Sequence, residues 1–388
     1  MYKYQYWIRE YLFRALASLP TFFQKKILSF WVKRQKKTLS NLLTPAQIIL
    51  YVTNRCNARC RHCFYWREVA GGKKKELTLK QITKIAKSLK HSLNTLSITG
   101  GEPFLRKDLS LIVKTFSKIN RTRKINIVTN GFFTKEILRQ TKKIIKYPVD
   151  LNIQVSLDGL QKVHDQIRRV AIFTAAVETI RQLSEISLTN KNFQVTIQCT
   201  ITKYNLNEME KLIKFVKNNL SKVHLGFQLV RSSNFDVYNI DYNFLSGLDY
   251  SQKKPLLSIR QMEKALKIME KNFDTQNSLL SSYVNVMNRH IVKIKKKKKS
   301  FVKCLAGIYD AVIWPDGQVS MCEFTKPFAR LSDYNYDFYR LWTSKAAISA
   351  RKKIKFCFCT HSCNLMNAMQ FDEKVLLEVL NEQKSRLS

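Results

Sequence analysis

The sequence predicts an α/β fold whose parallel strands close into a barrel or part of one. Three observations carry this reading. Between Ala46 and Val230 short apolar, β-branched runs alternate with helix-period segments. Six strand runs with helices between them are βα units, and right-handed crossovers set their strands side by side in parallel. Polar, glycine-bearing segments follow four successive strands, where such a fold carries its chemistry.

Each element reads from its own residues. QIILYVT at 47–53 is almost wholly apolar and reads as a buried strand. TLSIT (95–99), KINIVT (124–129), LNIQVSL (151–157), FQVTIQCTI (193–201) and VHLGFQLV (223–230) read as strands two to six. Helices are expected at 78–91, 107–119, 134–146, 171–186 and 206–220, the first capped by Thr78.

Ahead of the barrel region (46–230), residues 1–45 read as an arm of two short amphipathic helices split at Pro20. Its second half sets Phe22, Phe23, Ile27, Leu28, Phe30 and Trp31 beside Lys25, Lys26, Lys33, Arg34, Lys36 and Lys37. Aromatic residues beside a basic face suit a helix lying in a membrane interface. The competing reading is an arm packed on the protein's own body. Residues 231–300 form a less regular connecting segment with a helix near 258–273. Its lysine run, Lys293 and Lys295 to Lys299, reads as a solvated loop. Residues 301–388 make a small cysteine-rich domain, strand-like around the turn Pro315-Asp316-Gly317 and ending in a helix at about 371–385.

Composition bounds the function. The 388 residues are 45% hydrophobic, which supports a sizeable core and excludes global disorder. Lys and Arg number 68 against 28 Asp and Glu, a net charge of +40 that favours anionic partners: nucleic acid, a membrane surface or an acidic substrate. Solvated lysine faces explain the surplus equally well. No run of ~20 apolar residues predicts a transmembrane helix. Met1 to Arg14, broken by Arg9, Glu10 and Arg14, lacks the apolar stretch of a signal peptide. The nine cysteines fall in clusters, which points to metal ligation in a reducing compartment. The expected location is cytoplasmic, or peripheral at the inner face of the membrane.

The chemistry starts after the first strand, where Cys56, Cys60 and Cys63 fall within eight residues. Three such thiols suit a zinc site, a disulfide staple or an iron–sulfur cradle, and each needs a further partner. A closed zinc site wants four ligands, and His62 is poorly placed to join its neighbour Cys63 on one metal. A four-iron cluster on three thiolates leaves one iron open. After the second strand, Gly100 and Gly101 let the backbone approach a ligand, Glu102 offers a carboxylate to an ammonium group, and Pro103 stiffens the turn. Strand three ends in Thr129-Asn130-Gly131 and strand four in Ser156-Leu157-Asp158-Gly159.

Cys56-x3-Cys60-x2-Cys63 followed by Gly100-Gly101-Glu102-Pro103 resembles the radical S-adenosylmethionine (SAM) superfamily over roughly residues 46–230. The resemblance implies a partial (β/α)6 TIM-like barrel. It implies a [4Fe–4S] cluster on Cys56, Cys60 and Cys63, with SAM chelating the fourth iron through its amino and carboxylate groups. One electron, from a donor such as flavodoxin or ferredoxin, then splits SAM to methionine and a 5′-deoxyadenosyl radical, which abstracts hydrogen from the substrate. By the same resemblance Gly100, Gly101, Glu102 and Pro103 line the methionine end and Phe64 shields the cluster. Ser156 and Asp158 approach the ribose, Leu229 and Val230 flank the adenine, and Asn130 and Arg168 lie near the cofactor or substrate.

Cys304, Cys322, Cys357, Cys359 and Cys363 resemble the superfamily's C-terminal SPASM extension in its shortened Twitch form, which implies one auxiliary iron–sulfur cluster for electron transfer. Four thiolates would close it, and the spacing leaves open which of the last three take part. A zinc knuckle is the other reading. Cys199 reads as a buried small hydrophobe and His361 as loop. The substrate is unidentified: a peptide, a lipid or membrane-linked glycan precursor, or a soluble sugar or cofactor precursor. The 45 residues before the barrel are short for a leader-peptide-binding domain, and their amphipathic, basic character fits a lipid or glycan precursor, for which residues 1–40 would offer a peripheral membrane contact. A basic protein with structural zinc sites that contacts nucleic acid or membrane is the alternative. No RNA-binding signature accompanies it, so nucleic acid is an unlikely partner.

Overall fold

A computed structural model describes residues 12–65, 68–69, 71, 75–231, 256–272, 279–354 and 358–387. Two arm helices come first, α1 (12–18) and α2 (Thr21–Ser40), with Pro20 as the N-cap of the second. The barrel then runs β1 (Gln47–Tyr51), α3 (Leu79–Ser88), β2 (Thr95–Thr99), α4 (Leu109–Asn120), β3 (Lys124–Thr129) and α5 (Thr134–Ile144). It continues β4 (Asp150–Ser156), α6 (Gln161–Arg168), α7 (Phe173–Thr189), β5 (Phe193–Ile201), α8 (Met209–Asn219) and β6 (His224–Leu229). Each strand pairs in parallel with the next, giving the six-stranded partial barrel expected from the alternation. Thr78 caps α3 in a reciprocal capping box with Gln81.

The sheet has two unlike faces. Leu96, Ile98, Ile125, Ile127, Leu151, Ile153 and Val155 are buried under the helices, against residues such as Ile112, Phe116, Ile137 and Ile180. The alternate residues Asn126, Asn152, Gln154, Thr196 and Gln198 project from the other face and are half-buried. They form a polar row there: Thr196 Oγ1 donates to Asn152 Oδ1 at 3.2 Å, and Asn152 Nδ2 to Asn126 Oδ1 at 3.5 Å.

After α9 (Ile259–Asn272) and α10 (Leu279–Lys297), the chain returns to the same sheet. β7 (Asp310–Ile313) pairs in parallel with β1, then β8 (Gln318–Ser320) and β9 (Ala329–Arg330) add antiparallel strands. The order is β6-β5-β4-β3-β2-β1-β7-β8-β9. β1 is therefore interior, and all five of its residues are buried. Four helices finish the chain: α11 (Phe338–Trp342), α12 (Lys345–Lys353), α13 (Ser362–Met369) and α14 (Glu373–Leu387).

Two local expectations are corrected, and one helix is added. The lysine run is not a loop as far as Lys297: it is the last turn of α10, whose Ile291, Val292 and Ile294 are buried. Cations there oppose the helix dipole's negative end, which offsets their mutual repulsion. A short helix that was not expected, α6, carries His164, Asp165 and Arg168 ahead of α7. His361 is not simple loop but the N-cap of α13, its side chain accepting from Asn364 N. The arm packs inward through Leu16, Ala17, Leu28 and Val32 against Leu376 and Leu380 of α14.

Candidate active site

The loop after β1 carries Cys56, Cys60 and Cys63, all half-buried. It is pinned from several sides. The loop after β2 continues the ladder onto it: Gly101 N donates to Thr53 O and Glu102 N to Arg55 O, both at 2.8 Å. The end of α6 holds the far side, with Arg61 N donating to Ile167 O at 2.8 Å and Arg59 N to Arg168 O at 3.2 Å. Beside it the rings of Tyr51, Tyr65 and Trp314 cluster with centroids 4.4–5.4 Å apart, Tyr65 stacked on Trp314 and Tyr51 tilted against both. Arg106 Nη1 donates to Val52 O at 2.9 Å while its other nitrogens hold Asp108.

The two glycines are required by this contact rather than by an open space for a ligand. A Cβ on Gly101 would stand 2.1 Å from Arg55 O and 3.0 Å from Cys56 Cβ. One on Gly100, at φ +141°, would stand 2.4 Å from Thr53 O. Glu102 does not present its carboxylate to an open space either. It is buried, accepting from Thr129 Oγ1 (2.8 Å), Asn130 N (2.8 Å) and Phe104 N (3.2 Å). Burial pushes its carboxyl up to about 7, against the pull of these donors. Glu102 thus ties the ends of β2 and β3 together beside the cysteine loop. Pro103 and Ser156 are buried as well, and Phe64 is half-buried.

Several donors face the thiols. Asn130 Nδ2 lies 3.9 Å from Cys56 Sγ and donates to Asn57 Oδ1 at 2.8 Å. Ala58 N reaches Cys56 Sγ at 3.4 Å, and Arg168 Nη1 reaches Cys60 Sγ at 3.5 Å. Arg168 is buried and ion-paired to Asp158 at 2.7 Å. Asp158 is wholly buried, its other oxygen accepting from Thr200 N at 3.0 Å. Burial acts against the Asp158 charge, but the Arg168 guanidinium outweighs it and holds the carboxyl low. Burial lowers His62 to about 4, so it is a neutral ring beside Asp158 and not a cation. It also pushes the thiol of Cys56 up to about 11 and that of Cys63 to about 12. Such thiols ionise when a metal binds them, and the N–H groups already aimed at sulfur would then stabilise thiolates. Three thiols on one pinned loop with donors directed at two of them have the ligand chemistry of an iron–sulfur cradle, while among the described residues no three His, Cys, Asp or Glu side chains converge on a single metal ion.

The second cysteine group has its own buried network. Cys322 and Cys359 are buried, Cys304 and Cys363 half-buried, and Cys357 lies outside the described residues. Glu323 accepts from Tyr51 Oη at 2.5 Å and pairs with Arg231 and His361, both at 2.6 Å. Arg231 also donates to Cys363 Sγ at 3.2 Å, and Asn364 Nδ2 to Cys322 Sγ at 3.4 Å. Burial alone would raise the Glu323 carboxyl, but Arg231 and His361 hold it far below the usual range. A chain of rings joins the two groups: Phe64 lies 6.0 Å from Phe324, and Phe324 5.1 Å from His361. Sequence reasoning passed over Glu323, Arg231 and Tyr51. Only the position of Glu323 next to Cys322 hinted at it. Cys199 is buried as expected, with Asn205 Nδ2 3.6 Å from its sulfur. Leu229 and Val230 line a small cavity with Leu256, Leu257, Met262 and Lys295.

Residues 50–216 match the family model described as the radical SAM superfamily. Over that span the chain is similar to this superfamily. Among curated relatives, the GTP 3′,8-cyclase of Aquifex aeolicus (strain VF5) is 30% identical over 188 residues, 46% of this chain and 56% of that protein. The chain spans about half the length of the curated relatives it matches first. Two solved structures share the fold. One is SuiB of Streptococcus suis bound to precursor peptide SuiA, with TM-score 0.56 and 14% identity over 86% of this chain and 73% of that one. The other is anSMEcpe with bound AdoMet and Cp18Cys peptide, with TM-score 0.51 and 17% identity over 78% and 81%.

Proposed function

We propose that the protein is a radical SAM enzyme that binds a [4Fe–4S] cluster through Cys56, Cys60 and Cys63 and abstracts hydrogen from its substrate. The observation that carries this is the cysteine loop bonded along the Gly100-Gly101-Glu102 loop at the strand ends. When bound, the cluster and SAM together supply a 5′-deoxyadenosyl radical from one donated electron. The residues hold and orient. Gly100 and Gly101 bring their backbone against the cluster loop and, with Glu102, would line the methionine end of the cofactor, while Glu102 also ties that loop to Asn130. Asn130 and Arg168 direct N–H groups at Cys56 and Cys60 sulfur, and Asp158, which fixes Arg168, would with Ser156 approach the ribose. Phe64 covers the cluster on the side of Phe324, and Pro103 and Ser156 complete the surrounding walls. The polar row from Asn126 to Thr196 lines the open sheet face where a substrate would lie.

We read 1–45, 46–230, 231–300 and 301–388 as arm, core barrel, connector and auxiliary-cluster domain, the last lending β7 to β9 to the barrel's sheet. Cys304, Cys322 and Cys363 with Cys357 or Cys359 would hold an auxiliary cluster, and Arg231 is placed to support the Cys363 thiolate. A flavodoxin or ferredoxin would donate the electron. The substrate is a peptide, or a lipid or glycan precursor. The named peptide complexes of SuiB and anSMEcpe support the first class, and the arm's surface supports a membrane-borne second.

Anaerobic reconstitution with iron, sulfide, SAM and dithionite tests the reading. 5′-Deoxyadenosine should form and should disappear with Cys60→Ala. A protein loaded with a [4Fe–4S] cluster that leaves SAM intact would refute it, and zinc retained in place of iron would favour the structural-metal alternative.

A further inference from the structure

Helix α2 has an outward face that packing does not explain. Gln24, Leu28 and Val32 point inward. At 100° per residue, Phe22, Phe23, Ile27 and Phe30 fall on the opposite side, together with Lys26, Lys33, Arg34 and Lys37. The four apolar side chains are 62%, 52%, 46% and 70% exposed. Phe22 and Phe23 meet edge to face at 5.6 Å, and Lys26 Nζ sits 4.8 Å over the Phe22 ring. Leu12 and Leu19 extend the exposed apolar strip onto α1. The sequence has no Asp or Glu from Tyr11 to Arg67, so no acidic side chain of α2 itself offsets the cations.

We propose that the outward face of α2 lies in the headgroup layer of an anionic lipid bilayer, with Phe22, Phe23, Ile27 and Phe30 at the acyl boundary and Lys26, Lys33, Arg34 and Lys37 on lipid phosphates. The inference gives residues to the membrane reading of the arm and needs no step of the radical chemistry. A bilayer surface takes apolar rings and cations on one plane, because its apolar interior begins directly beneath its phosphates. A second copy of this face would set cation against cation. Nucleic acid would satisfy the cations but leave Ile27 and the paired phenylalanines uncovered. No described helix is long and apolar enough to cross a membrane, so this contact is peripheral.

The test is sedimentation of the full chain with sucrose-loaded vesicles of phosphatidylcholine, and of equal parts phosphatidylcholine and phosphatidylglycerol. Binding should require the anionic lipid and weaken with salt. The exposed pair Phe22→Ser/Phe30→Ser and the reversal Lys33→Glu/Arg34→Glu should each lower the bound fraction by roughly tenfold or more. Both should keep the thermal midpoint and the yield of 5′-deoxyadenosine, which separates this surface from the catalytic reading. Failure to bind the anionic vesicles overturns the proposal. So does binding that only the charge reversal affects, since the rings then lie outside the bilayer. A dimer in velocity sedimentation that the phenylalanine variant dissociates would reassign the face to a second copy.

Discussion

At Gly101 one hydrogen atom decides whether two loops can touch. Alanine there would drive a methyl into Arg55 O and Cys56 Cβ, costing about 1–3 kcal/mol locally and shifting the cysteine loop. Gly101→Ala should keep the barrel's circular dichroism but lose iron and lower 5′-deoxyadenosine formation by about a hundredfold. Asp310 offers a test of a different kind. It is buried, accepts from Asn367 Nδ2 at 2.8 Å, and burial raises its carboxyl to about 8. A raised carboxyl stabilises the fold fully below the unfolded value of about 3.9 and loses that contribution as pH climbs through about 8. Asp310→Asn, which cannot ionise, should therefore gain on the wild type as pH rises from about 4 to about 8, by a few kcal/mol at most. Thermal midpoints across that range check it, and parallel curves would contradict it. The cysteines, the glycine pair and Glu102 were legible because each sits at a readable place after a strand. Their physical duties were not. Glu102 is engaged with residues 27 and 28 positions away, and Tyr51 meets Glu323 across 272 positions, separations that no local pattern encodes.

Elements were legible where one period dominated. β2, β3 and β5 fall on their expected bounds, because their alternation faces helices on one side and the open sheet face on the other. The lysine run misled because charge suggests solvent and loop, whereas a helix end tolerates lysines when its inner face is apolar. The pairing of β7 with β1 could not be read at all, since a four-residue strand carries no partner information. The arm's attachment makes a prediction of its own. Leu28 is buried against α14, and Leu28→Ala should cost about 2–4 kcal/mol of that packing. The loss is local, so proteolysis near Pro20 should speed up while SAM cleavage by the barrel persists. An unchanged cleavage rate would mean that the inner face of α2 contributes little.

For the whole molecule, two cysteine groups on one continuous sheet should load together. The reconstituted protein should carry about eight irons, and the Cys56→Ala/Cys60→Ala/Cys63→Ala variant about four, as two four-iron clusters require. Equal iron in both would remove the auxiliary cluster from the reading. The sheet's order has one further consequence, for the history of each chain. β1 is an interior strand only once residues 310–313 exist. During synthesis, at about 5–20 residues per second, it waits some tens of seconds with one edge bare. Through that interval the neighbouring cysteine loop lacks the covering of Trp314 and Phe324. The newborn barrel thus passes through an interval in which its cysteine loop stands more open than the finished sheet leaves it.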